Sequence, residues 1–383
     1  MIKHIIIFGG HIQALGLARQ AKDEGIDVTL IIEDKWSIAR FSNSVDRYYL
    51  CPSIKDIDSI LVPYNNTGTL LFPTSDEYVE YLSLRYESLK DHYILGIPKP
   101  DCTDIFLNKR RTYIFCEQNN IPHPASYYPM SIDDVTNIGK HLSFPLVIKP
   151  GTMYSFHKIV GKKAFLCHNI DDLINKCLDI EKKGYPINDL VIQEFISGGP
   201  KSLYSYGAFS VNGEPKAWIQ VNRIRQNPMD FGNSTTYAIS CFHKQIEEMA
   251  RKLLLLTSYS GLAEIEFMYD TKSSEFKFLE INTRAWKWHT ISNAFGFGFM
   301  DEMIRCYNGQ ESKFKPTSIA KAWQERLTDY TIIIKEVIKR KMSFKKAIAS
   351  LKKPKTYAVW SKADPLPCIL YLIMSPVLFF RRY

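Results

Sequence analysis

The sequence has no CxxC pair and no Cys/His cluster at zinc-ligand spacing, although it carries eight cysteines, at 51, 102, 116, 167, 177, 241, 306 and 368. Scattered thiols exclude a zinc-finger or thioredoxin-like site and fit a reducing, cytoplasmic setting. Low-complexity bias and internal repeats are absent, which excludes solenoids and propellers. The apolar tail, Leu366 to Phe380, is interrupted by Pro367 and Pro376 and falls short of the ~20 residues that span a bilayer. The opening MIKHIIIFGG holds one lysine and a short apolar run ending in two glycines, and is expected to be a first strand, not a cleaved leader. GxGxxG spacing is missing too, because Gly16 follows Gly9 and Gly10 too late. An NAD-dependent oxidoreductase, with Glu33 ending the second strand, is therefore kept only as an alternative.

What is present is an ordinary globular composition: 383 residues, 45% apolar, 13% aromatic and 23% charged, enough for a sizeable core in two or three units. The net charge of +9 is concentrated, since nine Lys/Arg against one Glu lie between Lys335 and Lys355. A polyanion groove spread over the fold is thereby excluded, and no nucleic-acid partner is expected. The basic stretch, the apolar tail, and Arg381 and Arg382 after it together suit a segment resting on the inner face of an anionic membrane. Docking onto the protein's own body or onto a partner subunit, as in a homodimer, is equally open.

Ile5 to Phe8 reads as a strand, Gln13 to Lys22 as a helix and Val28 to Ile32 as a second strand, which makes a βαβ unit. A further strand, Leu70 to Phe72, leads into Pro73-Thr74-Ser75-Asp76, where Ser75 or Asp76 can cap a helix from about Glu77. Residues 1–105 are thus expected to be a doubly wound α/β domain. From Asn108 come a basic helix start (Lys109, Arg110, Arg111), a proline-rich turn (Ile121 to Pro124) and a strand entering Lys149. Runs at Leu190 to Ile196, Ser202 to Val211, Ala217 to Val221, Leu262 to Tyr269 and Phe276 to Ile281 read as strands, and Phe242 to Thr257 as a helix. This is an α+β arrangement. The expected divisions are 106–196, 197–310, and a basic, helical 311–383.

Two strand-like runs carry the strongest chemical signal. Glu264-Ile265-Glu266 and Glu280-Ile281-Asn282-Thr283-Arg284 flank a short polar turn, and alternation puts Glu264 with Glu266, and Glu280 with Asn282, on one face each. If the hairpin pairs in register, these oxygens converge. Clustered carboxylates repel unless a hard cation neutralises them, and Mg²⁺ prefers such ligands; a wet acidic surface is the plain alternative. Lys149 ends the apolar strand FPLVIKP, where a buried ammonium needs an anion, although a lysine snorkelling from a strand end is as good a reading. Lys109 opens a helix, whose N-terminus itself attracts phosphate. The strand Gln193-Glu194-Phe195-Ile196 passes into a glycine turn and can present backbone groups to an adenine edge.

Taken in order, these pieces resemble the ATP-grasp superfamily: Lys109, Lys149, the adenine-hinge strand Gln193 to Ile196, then Glu266, Glu280 and Asn282, with the run LLFPTSDEYVEYLS adding to the likeness. Within it the chain is most similar to carboxylate-amine ligases of the D-aspartate ligase kind and to the ATP-grasp domains of the carbamoyl phosphate synthetase large subunit. The resemblance implies a pre-ATP-grasp domain over 1–105, a central subdomain over 106–196 and a second subdomain over 197–310. It implies ATP, two Mg²⁺ ions (or Mn²⁺) on Glu266, Glu280 and Asn282, an oxyanion role for Arg284, and small-molecule carboxylate and amine substrates joined through an acyl phosphate. An amino acid or a cell-envelope precursor would suit such an enzyme. Arg223 and Arg225 alternate on one strand; Arg225 is selected to grip a carboxylate or the triphosphate, with solvated surface arginines as the alternative. His289, beyond Trp286 and Trp288, faces either substrate or the core. The chain departs from the family pattern at 151–157, where one glycine replaces a glycine- and serine-rich loop. It departs again at Gly199-Pro200-Lys201, where an acid for the ribose is missing. A non-catalytic nucleotide-binding protein is the remaining alternative.

Overall fold

Strand His4–Phe8 sends Ile5 and Ile7 into one core and Ile6 and Phe8 into another, the signature of a sheet covered on both faces. The computed structural model describes residues 1–382 except 230, 231, 233, 318, 353 and 354; the side chains of 153–155 and 377–382 are not among those described. The first sheet is parallel, in the order Arg47–Leu50, Asp27–Ile32, His4–Phe8, Thr69–Pro73, Ile94–Leu95. Helix Ile12–Asp23 buries Ala14, Leu15, Leu17 and Ala18 on one face of it, and helix Asp76–Leu84 places Tyr78, Tyr81 and Leu82 on the other. Ser75, not Asp76, caps the second helix, its Oγ accepting from the Tyr78 amide. The chain leaves strand His4–Phe8 through Gly9, at φ +113°, where an added Cβ would fall 2.1 Å from Thr74 Oγ1. A Cβ on Gly10 would lie 2.4 Å from the Ser37 Cβ. Close packing by Thr74 and Ser37 explains why glycine stands at both positions, and it gives the oxidoreductase alternative no support.

The second sheet has the order Ser126–Tyr127, Leu190–Glu194, Leu146–Pro150, Phe165–Cys167 and is antiparallel. Helices Ile132–His141 and Ile170–Lys182 cover it through Val135, Leu173, Cys177 and Ile180. The third sheet has seven strands, in the order Glu275–Asn282, Gly261–Asp270, Leu203–Val211, Glu214–Asn227, Ser234–Cys241, Ala322–Gln324, Lys355–Tyr357. Its last two members come from the stretch expected to be helical. The chain beyond 310 therefore supplies two strands as well as helices Arg326–Ile338, Phe344–Lys352 and Leu366–Arg382. Arg19 on the first helix donates to Asp364 at 2.9 Å and ties the C-terminal part to the N-terminal domain.

Arg225, expected to grip substrate, is engaged elsewhere. It is 2% exposed, and its Nε and Nη2 each donate to Asp329 at 2.7 Å. Thr236 and Gln324 donate to the same carboxylate at 2.9 and 2.6 Å, and the guanidinium lies 4.2 Å from the Tyr237 ring centroid. The network locks helix Arg326–Ile338 to three strands of the large sheet. The strand is therefore no solvated surface, and a guanidinium with two of its donors on a buried acid is a structural clamp. Removing either member should cost about 3–5 kcal/mol by stranding its partner, whereas Arg225→Met with Asp329→Leu should recover part of the loss. Urea denaturation measures this; a single Arg225→Met change that leaves stability intact would contradict the clamp.

Candidate active site

The hairpin pairs as its chemistry requires. Glu264 lies opposite Asn282 and Glu266 opposite Glu280, with a bulge immediately after Glu266. Glu264 and Glu266 are buried. Such burial costs several kcal/mol per unpaired charge, and each acid here is met by a donor. Trp288 Nε1 donates to Glu264 at 2.6 Å. Asn282 Nδ2 donates to Glu264 at 3.2 Å and to Glu266 at 3.3 Å. Arg223 Nη1 lies 2.5 Å from Glu266 Oε2 as an ion pair, and Lys109 Nζ is bonded to Glu280. Gly207, on the adjacent strand, leaves the space that Trp286 occupies, since a Cβ there would fall 2.2 Å from the Trp286 ring.

The two facing carboxylates differ in protonation. The Lys109 charge, with a hydrogen bond from the same ammonium, holds the Glu280 carboxyl down at about 2 against the cost of burial. Burial pushes Glu266 up to about 7; Arg223 opposes this, while Glu280 and Glu264 add to it. One acid is thus permanently ionised and its neighbour is poised near neutrality. Burial pulls on the Lys109 ammonium as well, but Glu280 overrides it and holds the group protonated.

Arg284 sits at the mouth of this cluster. Its Nε donates to Asp76 at 2.6 Å and its Nη2 to the Asn282 oxygen at 3.2 Å. Asp76 belongs to the N-terminal domain, so the PTSDE segment reaches the site through this ion pair. Lys149 Nζ donates to Gln193 Oε1 at 2.7 Å, and Gln193 Nε2 donates in turn to Ser126 Oγ at 2.8 Å. The ladder ends at Glu194, so Phe195 and Ile196 lie beyond the strand, whereas the sequence pattern predicts them within it. Glu194 Oε1 accepts from the Ala125 amide at 3.0 Å and from Lys277 Nζ at 2.5 Å, which ties the hinge to the hairpin.

The Lys109 helix does not offer a free N-terminus. Its Lys109 amide donates to the Gly151 carbonyl at 2.8 Å, and the Arg110 and Arg111 amides donate to Asn108 Oδ1. Only the Lys109 side chain serves the site. The 151–157 stretch contributes a helix, Met153–Val160, in place of a glycine-rich loop. Immediately after it comes a residue that the sequence did not single out. Lys163 is half-buried, and its pKa is pushed down by burial, with Glu280 and Asp76 opposing and Arg284 and Lys109 adding to the fall. Arg223, passed over for Arg225, is the guanidinium that reaches the carboxylates. His289 is fully buried, its Nε2 3.2 Å from the Gln13 carbonyl, and burial pushes it down to about 4, so it is a neutral core residue.

No three His, Cys, Asp or Glu side chains among the described residues form a metal cage. Glu266, Glu280 and Asn282 offer hard oxygens on one hairpin face and leave open positions, which is the Mg²⁺ pattern. Here the Asn282 nitrogen faces the acids, and a half-turn of the amide presents its oxygen instead.

Several known proteins are similar to this chain. A family model described as Carbamoyl-phosphate synthase L chain, ATP binding domain, matches residues 225–313. The D-aspartate ligase of Enterococcus faecium is 22% identical over 227 residues, covering 56% of this chain and 53% of that protein, so the match spans about half the relative's length. Among solved structures, N5-carboxyaminoimidazole synthetase from Staphylococcus aureus has a TM-score of 0.68 at 14% identity, covering 88% of this chain and 86% of its own. The biotin carboxylase domain of Hydrogenobacter thermophilus 2-oxoglutarate carboxylase, in complex with MgADP, ADP and bicarbonate, has a TM-score of 0.67 at 16% identity, covering 84% and 74%. At such identities the structural likeness is one of fold. The matched segment, residues 225–313, is similar to that ATP-binding domain, and the chain as a whole shares the fold of these neighbours.

Proposed function

We propose that the chain binds ATP with Mg²⁺ at this hairpin and joins a carboxylate to an amine, forming an amide through an acyl phosphate. The observation that carries the reading is the register that sets Glu266 against Glu280 and Glu264 against Asn282. Glu266, Glu280 and Asn282 would hold one or two Mg²⁺ ions, and Mn²⁺ suits the same donors. When bound, the metal supplies charge neutralisation at the β- and γ-phosphate oxygens. Lys109, Lys149 and Lys163 contribute fixed positive charge on the nucleotide side. Gln193, Glu194, Phe195 and Ile196 hold the base, in which role the backbone beyond the ladder reads the adenine edge. Arg284, at the Asn282 end, steadies the oxyanion that develops when the amine attacks the acyl phosphate. Glu264, already bound by Trp288 and Asn282, positions Asn282 rather than ligating.

The substrates are small molecules. The Enterococcus relative is named for D-aspartate, which carries both reacting groups, and the Hydrogenobacter neighbour holds bicarbonate. Amino acids, other carboxylic acids and bicarbonate are therefore the acids to offer. ATP-dependent phosphate release should appear only when a matching carboxylate, which takes the phosphoryl group, and an amine, which displaces phosphate from the acyl phosphate, are both supplied, and Glu280→Gln should lower it by at least about 100-fold. Activity surviving that substitution intact sinks the metal assignment.

The Glu266 carboxyl gives a second readout. Its raised pKa means that the acid must shed a proton before it can ligate, so ionisation rises through pH 7. Mn²⁺ affinity should therefore rise with pH between 6 and 8, as Glu266 gives up its proton. A spin-resonance titration reads this directly, and a flat profile between pH 6 and 8 contradicts it.

A further inference from the structure

The three C-terminal helices carry exposed apolar side chains at helical spacing. On Arg326–Ile338 these are Tyr330, Ile334 and Ile338, four residues apart and 41%, 58% and 74% exposed, hence on one face. Phe344, Ile348 and Leu351 repeat the pattern on Phe344–Lys352. Leu366, Ile369 and Ile373 repeat it on Leu366–Arg382. Between the first and third helices opens a cavity of about 230 Å³, lined by Leu327, Tyr330, Trp360, Tyr371 and Leu372 among others. Tyr330 and Leu372 are both exposed, so the two helices bring their apolar surface together at its mouth.

The charge around these stripes has one sign. Lys335, Lys339, Arg340, Lys341, Lys345, Lys346 and Lys352 are exposed. The two acids between 330 and 373, Glu336 and Asp364, are both buried. Among the described residues of that segment, every exposed charge is therefore positive.

We propose that this region docks onto an anionic lipid bilayer, with the three helices lying in the headgroup layer and the cavity receiving one acyl chain. Apolar stripes interleaved with lysines match a surface that is apolar below and anionic above. Lysine stems can follow the apolar layer while their ammonium groups stay with the headgroups. A second copy of the chain would bring like charge against like. Nucleic acid would use the cations and leave the isoleucines in water. Helix Leu366–Arg382 has 17 residues with Pro376 inside it, and no described helix is long and apolar enough to cross a membrane, so the mode is lying on the surface and not spanning it. The docking surface is independent of the ligase reading.

The test is co-sedimentation of the full chain with sucrose-loaded vesicles of phosphatidylcholine, pure or with about one-third phosphatidylglycerol. We expect at least about tenfold more protein with the anionic vesicles, released by high salt. The double variant Ile334→Asp/Ile338→Asp should lose at least about tenfold of that binding at an unchanged melting temperature, because both side chains already face water. Equal recovery with the two vesicle types overturns the proposal, and so does anionic binding that survives the double substitution. Failure to bind either vesicle, with a soluble oligomer that the double substitution dissociates, assigns the surface to a second copy and overturns it too.

Discussion

Three carboxylates converge on one hairpin face, Glu264 and Glu266 buried and Glu280 half-buried; they cannot crowd together there unless charge is brought to them, and much of the arrangement of this chain serves that requirement. Each compensating group comes from a different part of the sequence. Lys109 comes from the start of the central region, Arg223 from the neighbouring long strand, and Trp288 from the loop after the hairpin. Asp76, from the N-terminal domain, holds Arg284 beside the same cluster. The site is therefore held by ion pairs and hydrogen bonds that tie the hairpin to the Lys109 helix and to the Asp76 helix of the N-terminal region.

The compensation is uneven. Glu280 has a lysine of its own and stays ionised, whereas Glu266 shares Arg223 with Glu264 and Glu280 as neighbours and is held near neutrality. A cation arriving between them would complete what the protein's own groups leave unfinished. Lys109, Lys149 and Lys163, whose charges all act on Glu280, are cations that a polyphosphate would meet in turn. Electrostatics of this kind favours the pair of ligands over either one alone.

Much of this was legible in the sequence. Period-two alternation placed the acids of the hairpin, and the βαβ pattern with the PTSDE cap placed the N-terminal domain. Such features depend on residues close together in the chain. What stayed hidden depends on distant pairs. Arg225 and Asp329 lie 104 positions apart, Arg284 and Asp76 208 apart, and no local pattern reveals that a polar strand residue is buried against a remote acid. Arg223 and Arg225 look alike in sequence; a register irregularity between Asn222 and Arg225 accompanies their divergence, one to Glu266 and the other to Asp329. Lys163 follows a helix where the family pattern anticipates a glycine-rich loop, so nothing nearby marks it. The strands Ala322–Gln324 and Lys355–Tyr357 are too short, at three residues each, for periodicity to register beside long basic helices.

Calorimetric binding of ATP in excess Mg²⁺ and again in excess chelator tests the central claim most directly, because it asks whether the hairpin acids need a cation before they accept a polyphosphate. The account predicts affinity at least roughly tenfold higher with Mg²⁺ present. Equal affinity in the two conditions would contradict it.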